Sequence, residues 1–173
     1  SSREEMERVL PVIRGLRRAL SIPISIDTYK ADVARAALDE GADMVNDISA
    51  LRFDSAMAPV VAAAQAPVVL MHMQGTPQSM QQRPRYRDVV EEVEEFLRSR
   101  IRFALEAGIG AERILVDPGI GFGKELEHNL ALLKNIGRIQ GSLGLPLLAG
   151  LSRKSMIGTI TGKLPEDRLA GSL

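Results

Sequence analysis

The sequence predicts an α/β fold built on a parallel sheet, either a barrel or a doubly wound sheet, and three observations carry that reading. Short β-branched runs alternate with longer stretches of helical periodicity. The runs lack in–out alternation, as expected of strands in a sheet covered by helices. Two similar helix exits, Ala37-Leu38-Asp39-Glu40-Gly41 and Ala104-Leu105-Glu106-Ala107-Gly108, each lead within a few residues into a strand, so one βα unit is being reused.

Taken in order, Met6, Val9, Leu10, Ile13, Leu16 and Leu20 recur at spacings of three and four and mark one face of a helix over Glu4–Leu20, with Ser1 or Ser2 as its cap. Ile22–Ile26 reads as a strand ending at Asp27, followed by an Ala- and Leu-rich helix that stops at Gly41. Asp43–Ile48 is the next strand, Ser55–Gln65 the next helix, Pro67–His72 a third strand and Arg87–Ala107 a long helix closed by Gly108. Arg113–Val116, Leu126–Ile136, Leu145–Leu151 and Lys154–Ile160 continue as strand, helix, strand and helix, giving five strands. The longest loop, Met73–Tyr86, carries Gly75, Pro77 and Pro84 and has the length of a mobile lid.

Composition narrows the function classes. With 173 residues and 45% hydrophobic content, the chain suits one soluble domain with a single buried core. Lys+Arg and Asp+Glu both number 22, and the aromatics are only four Phe and two Tyr, so neither a phosphate-tracking face nor a base-stacking platform is indicated and nucleic acid is not an expected partner. Zero cysteines exclude disulfides, iron–sulfur clusters and thiolate zinc sites and fit a reducing compartment. The apolar runs Ala66–Met71 and Leu143–Leu151 fall far short of the roughly 20 residues that span a bilayer. The first residues have no secretory pattern, so a cytoplasmic protein without membrane contact is expected.

In a barrel or an open α/β sheet, ligands meet the carboxyl ends of the strands. Those ends carry Asp27, Asn46-Asp47, His72, Asp117 and Ser152-Arg153-Lys154. Each has a plain structural alternative. Asp27 with Thr28 suits a cap for the helix starting near Lys30, and Asp117 before Pro118-Gly119 suits a turn. Asn46 resists that alternative, because an amide inside a central strand needs a partner. Three polar strand ends on one mouth point to a hydrogen-bonding heterocycle. Ser152 suits an N-cap, but cations in a first helical turn oppose the macrodipole and call for an anionic or carbonyl-bearing ligand.

The run Gly119-Ile120-Gly121-Phe122-Gly123-Lys124 is not a phosphate loop: Pro118 and Glu125 stand where the Walker pattern needs Gly and Ser or Thr. It is a glycine-rich turn that lets backbone approach a ligand or another loop, with Phe122 offering a ring. His72 and His128 are the only histidines and lack metal-ligand spacing; His128 is expected to be exposed on its helix. Glu91, Glu92, Glu94 and Glu95 with Arg98 and Arg102 read as a solvated helix face with pairs such as Glu94–Arg98.

Ser25-Ile26-Asp27-Thr28-Tyr29-Lys30, Val45-Asn46-Asp47-Ile48-Ser49, His72-Met73-Gln74-Gly75-Thr76-Pro77, Asp117 to Lys124 and Ser152-Arg153-Lys154 resemble dihydropteroate synthase in order and spacing. The resemblance spans essentially residues 1–173. It implies a (β/α)8 TIM barrel, here incomplete, with strands three to seven present and strands one, two and eight absent. It also implies condensation of 6-hydroxymethyl-7,8-dihydropterin pyrophosphate with p-aminobenzoate to 7,8-dihydropteroate and pyrophosphate, a folate-pathway step inhibited by sulfonamides. Under it, Asp117 accepts from the pterin N3–H and 2-amino group, Asn46 pairs with the pyrimidine edge, Asp27 faces N8 and Lys154 reaches N5 and O4. Asp27 and Lys154 would be catalytic, Asp27 by stabilising positive charge after pyrophosphate leaves. Ile48, Met71, Phe122 and Gly150 would surround the pterin, and Phe122, Ser152 and Lys154 would border the aminobenzoate. Mg²⁺ is implied as cofactor, its ligand residue lying outside this chain, and a homodimer is implied as assembly. Two alternatives stand beside the synthase: a pterin-binding methyltransferase that passes a methyl group from methyltetrahydrofolate to a corrinoid, and a truncated pterin-binding fragment without turnover. Ser152-Arg153-Lys154 favours the synthase over the methyltransferase.

Overall fold

The computed structural model describes residues 1–173. Helix α1 (Ser2–Ala19) opens on a capping box, in which the Ser1 hydroxyl accepts from the Glu4 amide and the Glu4 carboxylate reaches back to the Ser1 nitrogen. Three βα repeats follow: β1 (Ser25–Asp27) and α2 (Ala31–Asp39), β2 (Met44–Asp47) and α3 (Met57–Ala64), β3 (Val68–Met71) and α4 (Val89–Glu106). Then come β4 (Ile114–Asp117), α5 (Leu126–Lys134), α6 (Ile136–Leu143), α7 (Ser155–Thr161) and the short α8 (Leu169–Ser172). The sheet is all parallel with order β1-β2-β3-β4. Consecutive βα units lying side by side make the strand order of a barrel wall, not of a doubly wound sheet, whose order reverses at a switch point. No helix is long and apolar enough to cross a membrane.

The register sorts the sheet into two faces. Ile26, Val45, Val68, Leu70 and Ile114 are buried on the side packed by α2 and α3, with Met57 and Val61 among their neighbours. Laterally paired residues of a parallel sheet point the same way, and alternate residues point oppositely. The pairs Asp27↔Asn46, Asn46↔Val69, Val69↔Leu115 and Met71↔Asp117 therefore place Asp27, Asn46, Met71 and Asp117 together on the opposite side. A second core, including Val93, Leu97, Val116, Leu132 and Ile139, packs α4, α5 and α6 against β4.

Two sequence expectations change. The fifth strand, expected over Leu145–Leu151, is a single parallel bridge at Leu147 beside Val116: the Val116 amide donates to the Pro146 carbonyl at 3.0 Å and the Leu148 amide to the Val116 carbonyl at 2.8 Å. Its edge position gives it one neighbour, and the chain leaves that neighbour after one residue pair. The Glu94–Arg98 surface pair is not formed either. Glu94 is buried, accepts from the Ser142 hydroxyl at 3.1 Å and lies 3.6 Å from Arg138, so it ties α4 to α6.

Candidate functional site: the carboxyl ends of the strands

Asp27 does not cap α2. The Asp54 carboxylate accepts from the Ala31 amide at 2.8 Å, while the Thr28 hydroxyl accepts from the Lys30 amide, so Asp27 is left free of both duties. Its Oδ2 instead accepts from Asn46 Nδ2 at 3.2 Å across the β1–β2 pairing. Asn46 Oδ1 is buried with no partner, which in a folded protein marks a strained site or one awaiting a donor. Burial raises the Asp27 pKa, opposed by the Asn46 hydrogen bond and reinforced by Glu5. Glu5 itself accepts from the Thr28 hydroxyl and pairs with Lys30 at 2.6 Å.

The neighbouring Asp47 points the other way and does a structural job. It is fully buried, and its two oxygens accept from the Ser49 and Leu51 amides at 2.7 and 2.9 Å. Those bonds hold Ala50 and Leu51 at φ 53° and 63°, a left-handed pair costly for side-chain-bearing residues. Arg100 adds a bond to the Ala50 carbonyl, and Arg52 bonds the Ser49 and Met73 carbonyls, joining the loops after β2 and β3. Ile48 sits half-buried in the turn directly after β2.

At the β3 and β4 ends, Met71 and Asp117 are paired in register and both buried. The turn role foreseen for Asp117 is real but partial: Oδ1 accepts from the Gly119 amide at 2.7 Å. Burial raises the Asp117 pKa, while the Gly119 amide, Lys154 and Lys124 pull it back. Gly121 donates to Asn129 Oδ1, and a Cβ there would meet the Lys154 stem at 3.0 Å, so the absence of a side chain lets Lys154 lie against the loop. Lys154 Nζ stands 4.3 Å from the centroid of the Phe122 ring. Burial lowers the Lys154 pKa and Asp117 raises it.

Lys154 is the N-cap residue of α7, one place before the first turn, and Ser152 makes no cap bond, contrary to the simplest structural role for it. Ser152 is exposed and Gly150 half-buried, with nothing within 4 Å of where a Gly150 Cβ would stand, and both lie beyond β4 on the loop to α7. The residues that sequence reasoning undervalued are His72 and Lys124. Both are buried, and Lys124 Nζ lies 2.9 Å from His72 Nδ1. The signal for Lys124 is a lysine following three alternate glycines, a pattern that marks a close-approach turn but does not by itself say where the lysine points. His128, expected to be exposed, is half-buried against the Tyr86 ring, 4.9 Å between centroids.

Residues 1–173 match the family model described as pterin binding enzyme. The chain belongs to that family. It is 46% identical over 173 residues to the dihydropteroate synthase of Synechocystis sp., covering 99% of this chain and 60% of the relative. Among solved structures, it aligns with the dihydropteroate synthase of Xanthomonas albilineans in complex with 7,8-dihydropteroate (TM-score 0.92, 48% identity, 99% of this chain and 62% of that one). A similar match is the dihydropteroate synthase of Stenotrophomonas maltophilia with imidazole bound in its active site (TM-score 0.96, 48% identity, 99% and 64%). The chain thus spans about three-fifths of the length of its pterin-binding relatives. The barrel reading and the recognised family agree with these matches.

Proposed function

We propose that this chain is the pterin-recognising part of a dihydropteroate synthase, which joins 6-hydroxymethyl-7,8-dihydropterin pyrophosphate to p-aminobenzoate and releases pyrophosphate. The observation that carries it is the arrangement of Asp27, Asn46 and Asp117 on one face at the strand ends, with Asn46 Oδ1 buried and unpartnered. A pterin's 2-amino and N3–H groups form a donor pair that one carboxylate accepts, and Asp117 has Oδ2 to offer beyond the oxygen held by Gly119. Asn46 Oδ1 would take a further ring donor. Asp27, steadied by Asn46 Nδ2, would face N8 and stabilise the positive charge that develops when pyrophosphate leaves. Lys154 would donate to N5 and O4, and Phe122, Met71 and Ile48 would pack on the ring. The aminobenzoate would lie between Phe122, Lys154 and Ser152, its amine attacking the exocyclic methylene.

Mg²⁺ use and a homodimeric assembly belong to the same proposal, as does a cytoplasmic location, which the absence of cysteine suits. No three Asp, Glu or His side chains gather as a metal-ligand set, which suits a Mg²⁺ ligand lying outside this chain. The test is to assay the complete protein containing this chain for dihydropteroate formation with both substrates and Mg²⁺. Formation of dihydropteroate, lost in Asp117→Ala, is the expected result. Methyl transfer to a corrinoid without use of p-aminobenzoate would overturn it.

A further inference from the structure

The Lys124 side chain stands out because it is buried, carries a charge and has no part in the reading above. Its Nζ is 2.9 Å from His72 Nδ1, 2.9 Å from the Gly119 carbonyl and 3.0 Å from the Phe122 carbonyl, with the His72 carbonyl at 3.4 Å. An ammonium has three N–H donors and no acceptor. As an ammonium, Lys124 uses all three in the three short contacts, with His72 Nδ1 as the unprotonated acceptor of a neutral ring. His72 sits at the end of β3, its amide donating to the Asp117 carbonyl of β4 at 2.9 Å. Gly119 and Phe122 are the two ends of the turn that follows Asp117, and the Phe122 amide closes that turn on the Gly119 carbonyl at 3.0 Å.

We propose that Lys124 is a positioning residue for the ligand site: its ammonium ties both ends of the Gly119–Phe122 turn to His72 and thereby holds the Phe122 ring against Lys154. Two further bonds fasten the same segment from the loop after β3, Gln81 Nε2 to the Gly121 carbonyl at 2.9 Å and the Tyr86 hydroxyl to the Gly123 carbonyl at 2.7 Å. Of the three fasteners only Lys124 is buried and only Lys124 grips the turn at two points. Burial, with the nearby Lys154 charge, draws its pKa down to about 7 against the pull of the Asp117 carboxylate. His72, pushed down to about 3 by burial and by Lys124 and Arg52, stays a neutral acceptor. Replacing the lysine by an apolar residue would leave the Phe122 carbonyl and His72 Nδ1 without their donor, leave the Gly119 carbonyl only the Phe122 amide, and loosen the turn.

This inference rests on the proposed pterin function, and the experiment separates the two. In the complete protein, Lys124→Met, Phe122→Ala and the double variant are compared for KM, kcat and affinity for 6-hydroxymethylpterin by calorimetry, with thermal unfolding as a check on folding. Lys124→Met is expected to weaken pterin binding at least tenfold, and by less than threefold when Phe122 is already Ala, because the lysine acts through that ring. Equal losses in both backgrounds, or pterin binding within twofold of the unaltered protein, would overturn the proposal. In parallel, hydrogen exchange of the Phe122 amide is expected to quicken at least tenfold in Lys124→Met, with β4 amides unchanged; an unchanged rate would count against it. Lys124→Gln, which keeps two donors, replaces Lys124→Met if the latter does not fold, and failure of both to fold overturns the positioning role in favour of a purely architectural one. Failure of the unaltered protein to bind pterin would refute the function above, while the exchange measurement, which needs no ligand, still decides what Lys124 holds.

Discussion

Gly119 and Gly144 provide a controlled test of why the glycine-rich turn has its composition. Their φ angles are nearly identical, +68° and +67°, so an Ala at either position meets a similar positive-φ penalty, roughly 1–2 kcal/mol, offset by about 0.4–1 kcal/mol from the less flexible unfolded chain. Their surroundings differ. A Cβ at Gly144 has nothing within 4 Å, whereas one at Gly119 would stand 1.9 Å from the His72 carbonyl oxygen and 3.3 Å from Lys124 Nζ. Relieving that clash requires more than an ångström of movement between the β3 and β4 ends, in the part of the fold that Lys124 cross-links. Overpacking of a rigid site costs about 1–3 kcal/mol, which makes Gly119→Ala the worse by that amount. At about 2–4 °C per kcal/mol for a chain of this size, the Gly119→Ala midpoint should lie roughly 2–12 °C below that of Gly144→Ala. Circular dichroism melts of the two variants measure the difference directly, and calorimetry with a pterin should show affinity lost only in Gly119→Ala. Equal midpoints would refute the steric reasoning, since φ does not separate the two sites.

Three other outcomes follow from the strand ends. Asn46→Leu removes a buried oxygen without a partner but also the Nδ2 bond to the exposed Asp27, two effects that offset, so its unfolding midpoint should change little while pterin affinity falls about 5- to 150-fold, the equivalent of about 1–3 kcal/mol for stranded ligand donors; a clearly lower midpoint with intact affinity would contradict both halves. Asp47→Asn keeps one acceptor for the Ser49 or Leu51 amide and buries an amide nitrogen where the other carboxylate oxygen was, so urea titration should show a loss of about 1–3 kcal/mol. His72 has a pKa near 3 when folded against 6.5 when free, so between those values the unfolded chain binds the extra proton and stability falls as pH falls. The slope approaches 1.4 kcal/mol per pH unit, and His72→Gln should flatten it in melts taken between pH 6.5 and 4.

Much of this was legible in the amino-acid order. Periodicity located α1 to α5 and β1 to β4 to within a few residues, because each helix has an apolar stripe and each strand a short β-branched run bounded by Gly, Pro or Asp. The carboxyl-end rule selected Asp27, Asn46 and Asp117, since polar residues at the ends of buried strands are costly unless they serve a ligand or a turn. The motifs named the family. What the sequence could not decide is how each polar group is employed. Asp47 and Asn46 are adjacent and chemically alike, yet the pleat sends one to brace a left-handed turn and the other to the open face. Asp27 escapes capping only because Asp54, distant in sequence, takes the Ala31 amide. Nothing local in the run Gly119 to Lys124 distinguishes a buried lysine from an exposed one; the fold closes carbonyls and a histidine around it. Composition and spacing are local and survive in one dimension; burial and the choice of hydrogen-bond partner are set by residues that only the folded sheet brings together.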